Sequence, residues 1–143
     1  MGAARAGVAL RVAKAAALYF VMVFLVGLAL GPIRVSWVEP VLGQTLAVSL
    51  EAPLLIAAMA IAAPRAVRWA ALCGAGWFSH LCVGLVALAL QQIADLSVGF
   101  GLRGMSLDQQ IHYFTTPPGY VYAFTLVAFV LAPLTTLLRR RPA

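Results

Sequence analysis

The chain has 143 residues, of which 64% are hydrophobic and only 10% charged, and its mean hydropathy is +0.99. These values exclude an ordinary soluble domain and indicate an integral membrane protein. The formal net charge of +6 would suit nucleic acid, but the basic residues cluster between long uncharged stretches, so we interpret them as a topology signal and expect no nucleic-acid partner.

Four apolar stretches are each long enough to cross a bilayer once, which takes about 20 residues in a helix. They cover residues 15–33, 40–63, 69–94 and 118–138. If the spans alternate, most basic residues fall on one side: Arg5, Arg11, Lys14, Arg65, Arg68, Arg139, Arg140 and Arg141. The positive-inside rule then places both termini in the cytoplasm. The sequence predicts an all-α, up-down four-helix bundle, a single transmembrane domain over 1–143, in a bacterial inner (plasma) membrane.

The first span has the basic start of a signal peptide, but we expect it to be retained because its apolar run is longer than a typical signal and three spans follow. It closes at Pro32. Gly27 and Gly31 form a GxxxG pair, which predicts close helix packing on that face. Arg34 shares this face, and we expect it at the outer mouth of the bundle, paired with Glu39 or with lipid headgroups; it could reach Glu51 only if the first span sits deep.

The second span contains the most informative residue, Glu51, which is its one charged side chain. An acid near mid-bilayer costs roughly 3 kcal/mol on insertion scales, so it usually faces a bundle interior, finds a partner or is protonated. Pro53 has no N–H and leaves the carbonyl of Ser49 without its helical partner. A capping-box pattern at Ser36 and Glu39 predicts that this helix begins at the outer interface.

The third span should be the antiparallel neighbour of the second, because a tight turn at residues 64–68 joins them. Folding the hairpin about this turn brings His80 within about 3 Å axially of the level of Glu51, which predicts a hydrogen bond between them. Small and polar residues follow the facing stripes of the two helices. They are Gln44 on the second span and Gly76, Gly84 and Gln91 on the third.

The external loop, residues 95–117, is the one long connection in the predicted topology. A capping-box pattern at Ser106 and Gln109 predicts a short interfacial helix within it. Cys73 and Cys82 lie on one helix too far apart to bridge each other. Cys73, His80 and Glu51 offer too few well-spaced ligands for a metal site, so we expect neither metal nor cofactor.

The first two spans carry a recognisable set of residues: Tyr19-Phe20, Gly27, Gly31-Pro32-Ile33-Arg34, Pro40, Gly43 and Glu51-Ala52-Pro53. In these residues the first half of the chain resembles a family of small four-span bacterial inner-membrane proteins of no known activity. The resemblance implies the four-span topology and a role for Arg34, Glu51 and Pro53. The chain departs from the usual pattern of the family at Pro32.

Three functional interpretations follow from the predicted polar site around Glu51. The first is an accessory or structural helix bundle, with lipid around it and a second copy or a larger membrane complex as its partner. The second is a small proton-coupled transporter or channel that uses Glu51, because ionisable residues in membranes are functional candidates. The third is a membrane-embedded lipid-processing enzyme.

Overall fold

A computed structural model describes residues 1–139, which are all-helical and include four helices long and apolar enough to cross a membrane. They are α1 (Gly2–Ile33), α3 (Gln44–Trp69), α4 (Trp77–Gly101) and α6 (Pro117–Leu138). A π-helical turn (Arg34–Val38) and α2 (Glu39–Leu42) extend α1, and a short α5 (Leu107–Tyr113) precedes α6. The predicted helical bundle is confirmed. Arg140 and Arg141, which entered the topology prediction, lie outside the described residues.

The arrangement of the long helices differs from the prediction. α3 packs against α1 and α6, and α4 packs against the same two helices. α3 and α4 therefore lie on a diagonal of the bundle, although residues 70–76 join them directly. This connection is longer than a tight hairpin turn: it contains turns at residues 70–71 and 73–74 and carries the chain across the end of the bundle. The prediction that α3 and α4 are neighbours was wrong for this reason.

The start of α3 also differs from the sequence-based expectation. The chain stays helical through Ser36, which caps no helix, and breaks instead at Gly43, whose φ of 81° and ψ of 163° favour glycine. α3 then begins at Gln44. The predicted capping box at Ser36 is therefore wrong, whereas the one at Ser106 is confirmed, with both reciprocal hydrogen bonds to Gln109.

The boundary between α3 and α4 lies further along the chain than predicted. α3 continues through Pro64 to Trp69, so the predicted turn at 64–68 is helical. Transmembrane helices tolerate such prolines where neighbouring groups satisfy the freed carbonyl. α4 consequently begins at Trp77, and it ends at Gly101 rather than near residue 94.

The bundle has two different ends. We call the end that holds the start of α1, residues 70–76 and the end of α6 the basic end, and the opposite one the loop end. Small residues pack the basic half tightly, as close helix approach in lipid requires. They include Ala15 and Ala16 on α1 and Ala63 and Ala66 on α3, all at most 1% exposed.

One buried tyrosine crosses the centre of the bundle. The Tyr19 hydroxyl donates to the carbonyl of Phe129 at 2.7 Å, and the two rings stack with centroids 4.6 Å apart. That carbonyl would ordinarily accept from the N–H of residue 133, but Pro133 has none. Tyr19 therefore satisfies an acceptor on α6 that the helix itself leaves unpaired.

Candidate functional site

Glu51 forms an ion pair with Arg34. The distance from Arg34 Nη1 to Glu51 Oε2 is 2.7 Å, and the two side chains are only 16% and 10% exposed. Arg34 Nε also lies 3.3 Å from Glu39 Oε1. Arg34 thus sits between two carboxylates and neutralises the one that lies inside the bundle.

Two local features bring this pair together. Arg34 opens the π-helical turn that extends α1, so its side chain stays beside the bundle instead of leaving with a loop. Because α3 begins at Gln44, Glu51 lies about two helical turns from the loop end and not at the middle of the helix. A carboxylate at this depth is within reach of a cation at the end of α1.

The predicted hydrogen bond between Glu51 and His80 is not formed. His80 lies in the first turn of α4, which places it at the basic end, whereas Glu51 lies near the loop end of a diagonal helix. Its Nδ1 donates to the carbonyl of Gly76 at 3.0 Å, and its fully buried Nε2 has no hydrogen-bond partner among residues 1–139. The later start of α4 accounts for the error, because it moves His80 away from the predicted level.

A cavity of about 540 Å³ occupies the loop half of the bundle, beside the ion pair. α1, α3, α4 and α6 form its walls, and α5 contributes Gln110, Ile111 and Tyr113 at the loop end. Burial raises the pKa of the Tyr113 phenol above its ordinary value, so this residue is neutral at physiological pH. Val23, Met59 and Phe129, all nearly fully buried, form an apolar floor towards the basic half.

The cavity brings some of the predicted site residues together and leaves others outside. Those that line it are Gln44, Glu51, Gln91, Arg34, Gly27 and Gly31. Ser49 and Pro53 do not: Ser49 Oγ donates to the carbonyl of Thr45 at 2.7 Å on its own helix, and Pro53 is exposed. Arg34 lies at the loop end, as expected for an outer-mouth residue, but it faces inward.

The four glycines predicted to mediate packing play different parts. A Cβ on Gly84 would collide with the backbone carbonyl of Val130, so Gly84 allows close approach of α4 and α6. The neighbour it serves is α6 and not α3. Gly76 precedes α4 and provides the carbonyl that His80 bonds. Gly31 has open space beside it, and a Cβ on Gly27 would make only an ordinary contact with Leu55 on the cavity wall.

A second polar cluster was missed from the sequence. Asp95 accepts hydrogen bonds from the Tyr122 hydroxyl on α6 and, at 2.9 Å, from Gln91 Nε2 one turn earlier on α4. Gln92 and Arg103 also line the cavity nearby. Asp95 was predicted to lie in the external loop; in a helix that extends to Gly101, the i, i+4 spacing of Gln91 and Asp95 indicates the pair.

Comparison with family models, with curated proteins and with solved structures finds no match to this chain. The resemblance to small four-span inner-membrane proteins accordingly stays a prediction. Within residues 1–139, no three side chains of the His, Cys, Asp or Glu types come close enough to hold a metal ion.

Proposed function

We propose that this multi-pass membrane protein is an accessory or structural helix bundle, in which polar contacts between helices fix one arrangement of the four spans. The observation that carries the proposal is the closed ion pair between Arg34 and Glu51. The Glu51 carboxylate, which suggested transport, is bonded to the Arg34 guanidinium. This ion pair between two helices is enough to explain a charged residue within the span.

Two further polar contacts support the same function. Tyr19 ties α1 to α6 through the free carbonyl of Phe129, and Tyr122 ties α6 to α4 through Asp95. Together with the ion pair, which ties the extension of α1 to α3, they connect all four long helices. Hydrogen bonds between helices in lipid contribute specificity as well as roughly 1 kcal/mol each.

The geometry gives less support to a proton-coupled transporter. A transport route must be accessible from both sides of the membrane, but below the cavity floor the basic half is packed with small residues, including Ala15 and Ala63. The site described above assigns no catalytic group, so we do not propose the lipid-processing enzyme. We therefore retain transport only as the alternative against which the accessory function is tested.

We also propose a location and an orientation. The basic residues of the described ends, such as Arg5, Arg68 and Arg139, lie at one end of the bundle, which supports a cytoplasmic assignment for that end. A bacterial plasma membrane fits this charge distribution. A second copy of the chain or a larger membrane complex is the partner that an accessory function implies.

The substitution Glu51→Gln separates the two functions. An accessory function predicts a lower unfolding temperature in detergent micelles, because Arg34 is left beside an uncharged amide in a largely buried position. It also predicts that wild-type protein in liposomes produces no proton-linked flux above that of empty liposomes. Normal stability of the variant, together with a wild-type flux that the variant loses, would overturn the proposal in favour of transport.

A further inference from the structure

The cavity collects most of the buried polar atoms that lack a partner. Within residues 1–139, five buried side-chain atoms make no hydrogen bond, and four of them belong to residues that line the cavity. These four are Gln91 Oε1, Gln92 Nε2, Gln110 Nε2 and Arg34 Nε, but Arg34 Nε has an ion-pair partner in Glu39 Oε1 at 3.3 Å, so three glutamine atoms remain. Since buried polar groups are nearly always hydrogen-bonded, these three amides mark the part of the cavity wall where polar atoms of a ligand would find partners, once the glutamine side chains turn towards the cavity.

The available groups are neutral amides of both polarities. Gln91 directs its Nε2 to Asp95, which leaves its Oε1 as an acceptor, while the side-chain nitrogens of Gln92 and Gln110 are donors. A carbonyl oxygen can accept from these donors, and a hydroxyl can in addition donate to Gln91. The polar part of a fitting ligand therefore carries carbonyl or hydroxyl oxygens.

The charges of the lining favour an uncharged ligand. Two arginines, Arg34 and Arg103, and two carboxylates, Glu51 and Asp95, line the cavity, so their formal charges cancel. Arg34 is engaged by Glu51, and Asp95 by Tyr122 and Gln91. A phosphate-bearing headgroup would be attracted by two guanidinium groups and repelled by two carboxylates, so it would gain little net electrostatic attraction.

The remainder of the cavity is apolar and reaches the lipid-facing surface. Leu28 on α1 and Leu96 on α4 line the cavity and are also 46% and 37% exposed, which marks an opening between these adjacent helices. Behind it lies the floor formed by Val23, Met59 and Phe129. The volume falls within the range of about 300–1,000 Å³ that is typical of small-molecule sites.

We propose that this cavity binds an uncharged lipid whose polar end carries carbonyl or hydroxyl oxygens. The polar end lies among Gln91, Gln92 and Gln110 near the loop end, and the apolar chain extends over the floor and out between α1 and α4. This orientation matches that of a lipid in the leaflet, with its polar end towards the membrane surface. The ligand chemistry fits both glycerides and quinones.

Native mass spectrometry of the purified protein in detergent tests the proposal. The probes are dioleoylglycerol, a decyl-substituted benzoquinone and dioleoyl phosphatidylglycerol, added separately over a concentration series. We expect at least one uncharged probe to bind at least tenfold more tightly than the phospholipid, and the stronger of the two identifies the source. Equal or tighter binding of phosphatidylglycerol, or no binding of either uncharged probe, would overturn the proposal.

A matched pair of glycine substitutions places the binding in the cavity. Gly27→Leu fills the cavity, because an added Cβ meets only the Leu55 Cδ2 atom, at 3.8 Å, and we expect it to weaken binding at least tenfold. Gly7→Leu on the exposed start of the same helix changes helix propensity equally but fills no cavity, so it should bind like wild type. Equal affinities of the two variants would contradict the assignment.

The nearly isosteric substitution Gln92→Met tests the polar end separately. It removes a donor without filling the cavity, and we expect about a tenfold weaker affinity for the preferred uncharged probe, as loss of one hydrogen bond would produce. An unchanged affinity in a folded Gln92→Met variant would show that the polar end does not lie at these amides, which contradicts the proposal.

Discussion

At the residue scale, the hydrogen bond from Tyr19 exists because of a proline on another helix. Pro133 leaves the carbonyl of Phe129 without its helical donor, and the Tyr19 hydroxyl takes that place at 2.7 Å. In lipid no water is available to bond an unpaired carbonyl. The free-energy cost of leaving this carbonyl unsatisfied is therefore larger than the net gain of an ordinary hydrogen bond. Tyr19 and Pro133 are therefore energetically coupled, although neither contacts a charged group.

This coupling predicts a specific pattern of stabilities. Tyr19→Phe should lower the free energy of unfolding by about 1–3 kcal/mol, because it leaves the carbonyl buried and unsatisfied. In a Pro133→Ala background the alanine N–H bonds the carbonyl, so the same change should cost clearly less. Denaturant titration in detergent micelles measures both. An equal cost of Tyr19→Phe in the two backgrounds would contradict this account.

At the scale of elements, the sequence predicted which helices exist better than where they end. A span is identified by the apolar composition of its side chains, which can be read directly from the sequence. α6 (Pro117–Leu138) accordingly matches the predicted span, residues 118–138, closely. The turn between α3 and α4 was misplaced because Arg65 and Arg68 suggested exposed chain. Both remain helical, and their long side chains bond the carbonyls of Ile61 and Pro64 on their own helix.

The displacement of this turn along the chain accounts for most of the errors in the predicted site. It moved His80 to the basic end and brought Asp95 into a helix, where it meets Tyr122. The pairing of Arg34 with Glu51 was expected only if the first span sits deep. The sequence could not decide this, because the π-helical turn that holds Arg34 beside the bundle has no recognisable sequence pattern.

The contact between α4 and α6 gives a prediction at the same scale. Gly84→Ala should separate these helices, since an added Cβ would collide with the backbone of Val130, and overpacking of this kind typically costs about 1–3 kcal/mol. Gly31→Ala is the control, because Gly31 also lies inside a helix and nothing lies within 4 Å of the added atom. Unfolding temperatures in detergent should fall for the first variant only. A normal unfolding temperature for Gly84→Ala would contradict the close approach.

At the scale of the whole molecule, the distribution of charge and the two different halves define a direction. The basic end is tightly packed, and the loop end holds the acids, the ion pair and the cavity. Positive charge is retained on the cytoplasmic side of membranes, so we expect the cavity to face the opposite side.

Cysteine labelling tests this orientation. In a Cys82→Ser variant the exposed Cys73, in the connection at the basic end, should react with a membrane-impermeant maleimide only after the cells are permeabilised. In a variant that lacks both native cysteines, Asp108→Cys on α5 should react in intact cells. The reverse pattern would show that the bundle is inserted in the opposite direction.

The central claim is that the ion pair between Arg34 and Glu51 holds the bundle together, and a double-mutant cycle measures it most directly. The cycle compares Arg34→Gln, Glu51→Gln and the double variant by free energy of unfolding in detergent micelles, with a cycle on Arg34 and Glu39 as the weaker, more exposed control. We predict that the double variant is more stable than the sum of the single losses implies, by about 0.5–3 kcal/mol, and that the control coupling is smaller. Losses that simply add would contradict the claim.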